Sequence, residues 1–205
     1  MATSGDVPTE KVLKNSGGEQ VFSTGAVRDV DDNKERPDLI SPWFQRQLGA
    51  MCLRIDPSQD GRLLDGWSMH EVIRAYRANL ERYREGFRDR PYVLAASWFL
   101  MQIVHFDEAK SWWAGVGVSP IFHRRLAHWI TLGARRYTAR NWEKGINMER
   151  TARSLCRHID QYEIGEPTED HLAASACNVM FLSHTEEMIR IGKLPVGLDD
   201  LPRYT

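Results

Sequence analysis

A chain of 205 residues with 42% hydrophobic content is long enough to bury a full core, and its length suits one domain with an appendage better than two independent domains. Its formal net charge of -1 counts against general affinity for nucleic acid or an anionic membrane, which rests on an excess of Lys and Arg. Three widely spaced cysteines, Cys52, Cys156 and Cys177, sit in apolar surroundings without CxxC or zinc-ligand spacing, and read as reduced thiols of a cytoplasmic protein.

Residues 1–20 are polar and without periodicity, which predicts a disordered tail, and they hold no apolar run of the signal-peptide kind. Residues 21–205 are expected to form one all-α domain. Its first part, FSTGAVRDVDDNKERPDLISP, carries a glycine, an Asp/Asn cluster and two prolines that forbid a long helix, and predicts an extended arm that positions Arg28, Lys34 and Arg36. Residues 43–55 and 67–113 read as helices punctuated by DPSQDG and RDRP. Met69, Val72, Ile73, Tyr76, Leu80 and Tyr83 follow the amphipathic spacing. The apolar run from Tyr92 to Val104 is well short of the roughly 20 residues needed to span a bilayer and reads as a buried helix. Trp98, Trp112 and Trp113 read as core rather than as an aromatic box.

SPWFQRQL at Ser41–Leu48 matches SPIFHRRL at Ser119–Leu126 in Ser, Pro, Phe, Arg and Leu, 78 residues apart. In both, Ser can cap a helix whose first turn holds Pro. The pair suggests a helical insertion or partial duplication spanning about 43–118.

From Phe122 to Arg157 nine Lys/Arg face two acids, whereas from His158 to Thr205 nine acids face three bases. This arrangement suits a polyphosphate held between cations and carboxylate-bound metal. A helix follows Pro120, and Thr138 to Ile146 reads as a loop. The next helix has Met148, Ala152, Leu155, Ile159 and Tyr162 as its packing stripe. Arg150, Arg153 and Arg157 read as a solvated face, while His158 flanks the stripe and can enter a cleft. Gly165, Pro167 and Thr168 break the helix, with Thr168 expected as the next N-cap and Glu169 and Asp170 favourable at the positive end of the helix dipole. The stripe His171, Ser175, Asn178 interrupts an otherwise apolar helix and requires polar partners. The last residues, IGKLPVGLDDLPRYT, read as an extended surface tail.

His158, Glu163, Glu166, Asp170, His171 and Asn178 lie on two helices and the turn between them, so folding as a hairpin brings nitrogen and oxygen ligands together. Such carboxylate-rich sets suit Mg²⁺ or Mn²⁺ better than zinc.

The arm at Phe22–Pro42, the segment GARRYTARNWEKG at Gly133–Gly145, and SLCRHIDQYEIGEPTEDHLAASACN at Ser154–Asn178 together resemble the phage dATP/dGTP diphosphohydrolase domain family, which is similar to the MazG-type nucleoside triphosphate pyrophosphohydrolases. The resemblance implies a MazG-like helical bundle that cleaves a purine deoxynucleoside triphosphate to monophosphate and pyrophosphate with Mg²⁺ or Mn²⁺, as a homo-oligomer. It implies metal binding and water activation by His158, Glu166, Asp170 and His171, with Glu163 as a further ligand. It assigns phosphate binding to Arg28, Lys34, Arg36, Arg140 and Lys144, a pocket framed by Asn141 and Trp142, and to Asn178 either a base or sugar contact or the orienting of a ligand residue. The EExxE...ExxD signature of better-known MazG-type enzymes is not present in plain form. Two other readings compete: a nucleotide-sequestering protein of the same fold, and a helical nucleic-acid-binding protein using the basic stretch from Arg124 to Arg157. The overall charge and the acidic C-terminal quarter argue against the second.

Overall fold

The computed structural model describes residues 19–21, 23–29, 34–54, 64–88 and 91–204. The disorder expected for residues 1–18 and the turn at DPSQDG lie outside the described residues. The chain divides into residues 1–35 and residues 36–205. In the first unit, β1 (Glu19–Val21) pairs antiparallel with β2 (Val27–Asp29), with Val21 opposite Val27. Gly25 at φ 83° lies in the connection, a conformation open to glycine at little steric cost. The extended arm is thus in part a hairpin, and Glu19 and Gln20, expected in the disordered tail, pair within it.

The second unit is all α: α1 (Pro42–Arg54), α2 (Met69–Arg84), α3 (Tyr92–Ala109), α4 (Pro120–Tyr137), α5 (Met148–Glu163) and α6 (His171–Arg190). The helical stretch expected over 67–113 is two helices, and the second closes at Lys110, which adopts the left-handed conformation at φ 57°. Ser68 opens α2 with a capping box: its hydroxyl accepts from the Glu71 N–H, and the Glu71 carboxylate accepts from the Ser68 N–H. Leu100, Met101, Ile103 and Val104 of α3 are fully buried, so α3 is a core helix. Trp98 is buried with it, and Trp112 and Trp113 pack against the same core. No helix among the described residues is long and apolar enough to cross a membrane.

A whole three-helix unit repeats, not the octet alone. Ser41 and Ser119 each accept from the N–H three residues on, Phe44 and Phe122, at 3.2 and 3.3 Å. The Ser41 hydroxyl lies 2.9 Å from His184 Nδ1, and the Ser119 hydroxyl 2.8 Å from His105 Nδ1. Their N–H groups face the sulfurs of Met180 and Met101. Gln45 and His123, equivalent positions of the two octets, contact each other at 3.1 Å. Further on, α2 and α5 both begin at Met, with Tyr83 answering Tyr162 and Gly86 answering Gly165, both glycines at positive φ. α1–α2–α3 and α4–α5–α6 are therefore two copies of one pattern, each capping the other: the first Ser binds the last helix of the second copy, and the second Ser the last helix of the first. The segment 43–118 holds the first copy, and its buried residues share one core with the second.

Burial holds His105 and His184 below the ordinary imidazole pKa; Glu108 opposes this at His105, and at His184 Glu143 opposes it while Arg140 adds to it. For a depressed histidine the unfolded chain binds the proton more readily, so the stability is present above the unfolded pKa near 6.5 and is lost as pH falls through the folded one. The double variant His105→Asn, His184→Asn should accordingly show a shallower loss of denaturation midpoint between about pH 6.5 and 5 than the parent. At Gly145, φ is 97° and an added Cβ would meet Leu198 Cδ1 at 2.5 Å. Gly145→Ala should lower unfolding free energy by about 1–3 kcal/mol, read from urea titration.

Candidate functional site

α5 and α6 run antiparallel, as the cross-helix pairs His158–His171 and Ser154–Asn178 require. Gly165, at φ 72°, ends α5 with its N–H on the Tyr162 carbonyl, while the Glu166 N–H reaches the Gln161 carbonyl. This tight turn places Glu166 and Glu169 over the end of the helix pair.

There, three ligand-type atoms converge. His158 Nδ1 lies 3.2 Å from His171 Nδ1 and 3.2 Å from Glu169 Oε1, and His171 Nδ1 lies 3.5 Å from Glu169 Oε1. Ligands around one ion with bonds of about 2.1 Å are separated by about 3.0–3.5 Å, so the triangle fits a single divalent ion. His171 donates from Nε2 to Glu166, which leaves its Nδ1 lone pair toward the cluster, the carboxylate–histidine arrangement that orients ligating imidazoles. Burial holds the His158 imidazole below its ordinary pKa, Glu169 opposing and Arg157 and His171 adding, so the ring is neutral at pH 7. Hydrogen bonds from Thr168 first, and from His171, hold the Glu166 carboxyl below the usual range. A cavity of about 240 Å³ is lined by Glu166, Glu169 and His171 together with Asp107, Arg125 and Tyr162.

Of the acids expected to bind metal, two are engaged elsewhere. Asp170 caps α6, accepting from the Ala173 N–H at 2.9 Å, a role expected of Thr168. It also takes a bidentate bond from Arg125 at 2.9 and 2.6 Å. Arg125 continues to Asp107 at 2.9 Å, and Tyr162 donates to Asp107 at 3.1 Å, so this network ties α3, α4, α5 and α6 together. Burial alone would raise the Asp170 carboxyl, but the Arg125 and Ala173 bonds outweigh it and hold it low. Thr168 instead donates its hydroxyl to Glu166 at 2.7 Å. Glu163 pairs with Arg77 of α2, away from the triangle. Glu169, read from the sequence only as a favourable charge at a helix end, completes the triangle; the signal available was a turn too short to carry it far from α5.

The nucleotide-contact candidates are more scattered. Trp142 is buried, stacked on Phe181 at 5.1 Å and edge-on to His184 at 4.8 Å, within a short 3₁₀ segment, Asn141–Lys144. It lines a cavity of about 350 Å³ with Trp129, Tyr137, Asn141, Arg140 and Arg150. Arg140 donates to the Asp38 carbonyl at 2.6 Å and pairs with Glu143; Lys144 is exposed. Arg36 forks onto Asp38 at 2.8 and 2.7 Å, and its N–H donates to Thr131 at 2.8 Å. Arg28, on β2, and Lys34 belong to the first unit, and the Arg28 side chain lies outside the described residues. Asn178 donates to the Ala174 carbonyl at 2.9 Å and lies 3.5 Å from the Ser154 hydroxyl, between the cavity and the triangle.

Residues 105–191 match the family model described as dATP/dGTP diphosphohydrolase, N-terminal. The matched stretch is 87 of the 205 residues. No curated protein and no solved structure matches the chain. The matched segment contains the whole second repeat, the imidazole–carboxylate triangle and most of the wall of the Trp142 cavity, and leaves out Arg28, Lys34 and Arg36.

Neighbouring acids should therefore separate by variant. Asp170→Ala, losing a cap and a half-buried ion pair, should cost about 1–3 kcal/mol of stability, read by denaturant unfolding. Glu169→Gln should leave stability within about 0.5 kcal/mol and weaken Mn²⁺ binding at least about tenfold by calorimetry.

Proposed function

We propose that this chain is a metal-dependent diphosphohydrolase of purine deoxynucleoside triphosphates, releasing monophosphate and pyrophosphate. The observation that carries the reading is the triangle of His158, His171 and Glu169 beneath Glu166, inside the segment that matches the family. Two imidazoles and one carboxylate favour a first-row ion such as Mn²⁺ over Mg²⁺, because neutral nitrogen ligands suit the softer ion. A divalent ion held there would neutralise phosphate charge and make a bound water nucleophilic near neutral pH. Glu166 fixes the His171 ring through Nε2 and is itself fixed by Thr168, so the His171 Nδ1 atom is preorganised. Asp170 acts through Arg125 to brace the end of α6, a positioning role rather than ligation. The Trp142 cavity, aromatic at Trp129, Tyr137 and Trp142, takes the purine, with Asn141 and Asn178 as candidate polar contacts. Arg36, Arg140 and Lys144 are the cationic groups proposed for the phosphates, and a homo-oligomer in a phage-infected cytoplasm is the setting the family resemblance implies.

Incubation with each common dNTP and NTP, with Mn²⁺, Mg²⁺ or chelator, and chromatographic identification of products tests the reading. Monophosphate and pyrophosphate should appear only with metal, fastest from dATP or dGTP, and His171→Ala should reduce turnover by at least about a hundredfold. Nucleotide that stays intact while bound to the protein would replace hydrolysis with sequestration.

A further inference from the structure

The arginines of α5 read from the sequence as a solvated face, but one of them lines the aromatic cavity and another contacts a corner of the triangle. Arg150 lines the Trp142 cavity. One turn further, the Ser154 hydroxyl lies 3.4 Å from Arg157 Nη2 and 3.5 Å from Asn178 Nδ2. Arg157 then donates to His158 Nε2 at 3.3 Å, and His158 Nδ1 is one corner of the triangle. Arg150, Ser154 and Arg157 are spaced i, i+4, i+7 and share one side of the helix. Neither arginine makes an ion pair among the described residues, although acids are plentiful nearby.

Resting on the diphosphohydrolase reading, we infer that Arg150, Ser154 and Arg157 form the track along which the triphosphate lies, from the purine cavity to the triangle. Arg150 and Arg157 stand about 10 Å apart along the helix axis. A chain of phosphates engages both across that span, whereas a single phosphate engages one. Ser154 supplies a neutral hydroxyl between them, and Arg157 is held in register by it. The present bond of Arg157 also links the track to the triangle. For His158 Nδ1 to accept a cation, the ring proton must sit on Nε2, which then faces a guanidinium N–H donor to donor. Arg157 has to give up that bond, and its donors are left for an anion.

Calorimetric titration of the full chain with Mn²⁺ present tests the track, using inorganic tripolyphosphate and the nucleoside deoxyguanosine as separate probes. Arg150→Ala and Arg157→Ala should each weaken tripolyphosphate binding by at least about tenfold and leave deoxyguanosine binding within about twofold. Lys193→Ala, the same charge change at an exposed site beyond α6, should alter neither. Circular dichroism of each variant checks that the helices are intact. Tripolyphosphate affinity unchanged in both arginine variants overturns the track, and if the parent still hydrolyses dGTP the diphosphohydrolase reading stands without it. Arginine-dependent tripolyphosphate binding in a protein that turns over no nucleotide supports the track and removes the hydrolase reading. Absence of both binding and turnover overturns both.

Discussion

Two imidazole rings, each nearly excluded from solvent, meet between antiparallel helices, and the rest of the site depends on keeping both satisfied. Burial of a polar ring without partners costs several kcal/mol on apolar transfer scales, so every nitrogen must be accounted for. Here all four are: Glu166 accepts from His171 Nε2, the two Nδ1 atoms face each other, and Arg157 donates to His158 Nε2. The chain of contacts runs from a carboxylate at one end to a guanidinium at the other. The turn after α5 is short because a longer one would not hold Glu166 and Glu169 over the rings. Arg125, clasping Asp170 and Asp107, keeps the start of α6 where that geometry requires it.

The repeat isolates what is chemistry from what is packing. Positions 79 residues before His158, His171 and Glu166 are Asn79, Tyr92 and Phe87, none of which offers a comparable ligand set. Asn79 turns back onto the Ala75 carbonyl at 2.8 Å, and Tyr92 packs against the core. The apolar stripe, by contrast, persists: Tyr76 and Leu155, Leu80 and Ile159 are all buried. Both halves obey the same burial rule, and the second departs from it with His158, His171 and Ser175 where the first has Asn79, Tyr92 and Ala96. Local departures of this kind, set in an otherwise consistent core, are where function is expected to reside.

Periodicity made the helices legible, since the 3.6-residue spacing of apolar side chains is a local property; Ser41 and Ser119 as caps, and Trp98 as core, were readable for the same reason. The division of labour between Glu169 and Asp170 was not. Adjacent acids at a helix start look alike in one dimension, and what separates them is Arg125, 45 residues earlier in the chain, which claims Asp170 and leaves Glu169 to the rings. Glu163 likewise is drawn off by Arg77 of α2, a partner 86 residues away. The hairpin at β1 and β2 escaped because a strand of three residues is decided by its cross-strand partner rather than by its own composition. Arg150 and Arg157 read as solvated because their exposure is genuine; only the cavity beside one and the imidazole beside the other give them a context.

The cavity at Trp142 depends on residues beyond the family match. Asp200 caps α5, accepting from the Glu149 N–H at 2.8 Å and from the Asn147 side chain at 2.9 Å, where Asn147 offers no side-chain cap of its own. Leu201 is buried, and Leu198 Cδ1 lies so close to Gly145 that a Cβ added there would have to displace it. These contacts hold the start of α5, and so Arg150, against the Asn141–Lys144 segment that carries Trp142. A tail expected to run extended over the surface is instead partly 3₁₀ at Val196–Leu198 and acts as a clamp on the cavity wall. The triangle is fixed by the α5–α6 turn and the cavity by this tail, at opposite ends of the same helix. Because α5 is a single unbroken helix, its length sets the separation of the two, which makes the distance from aromatic cavity to imidazole cluster a property of the backbone rather than of any one side chain.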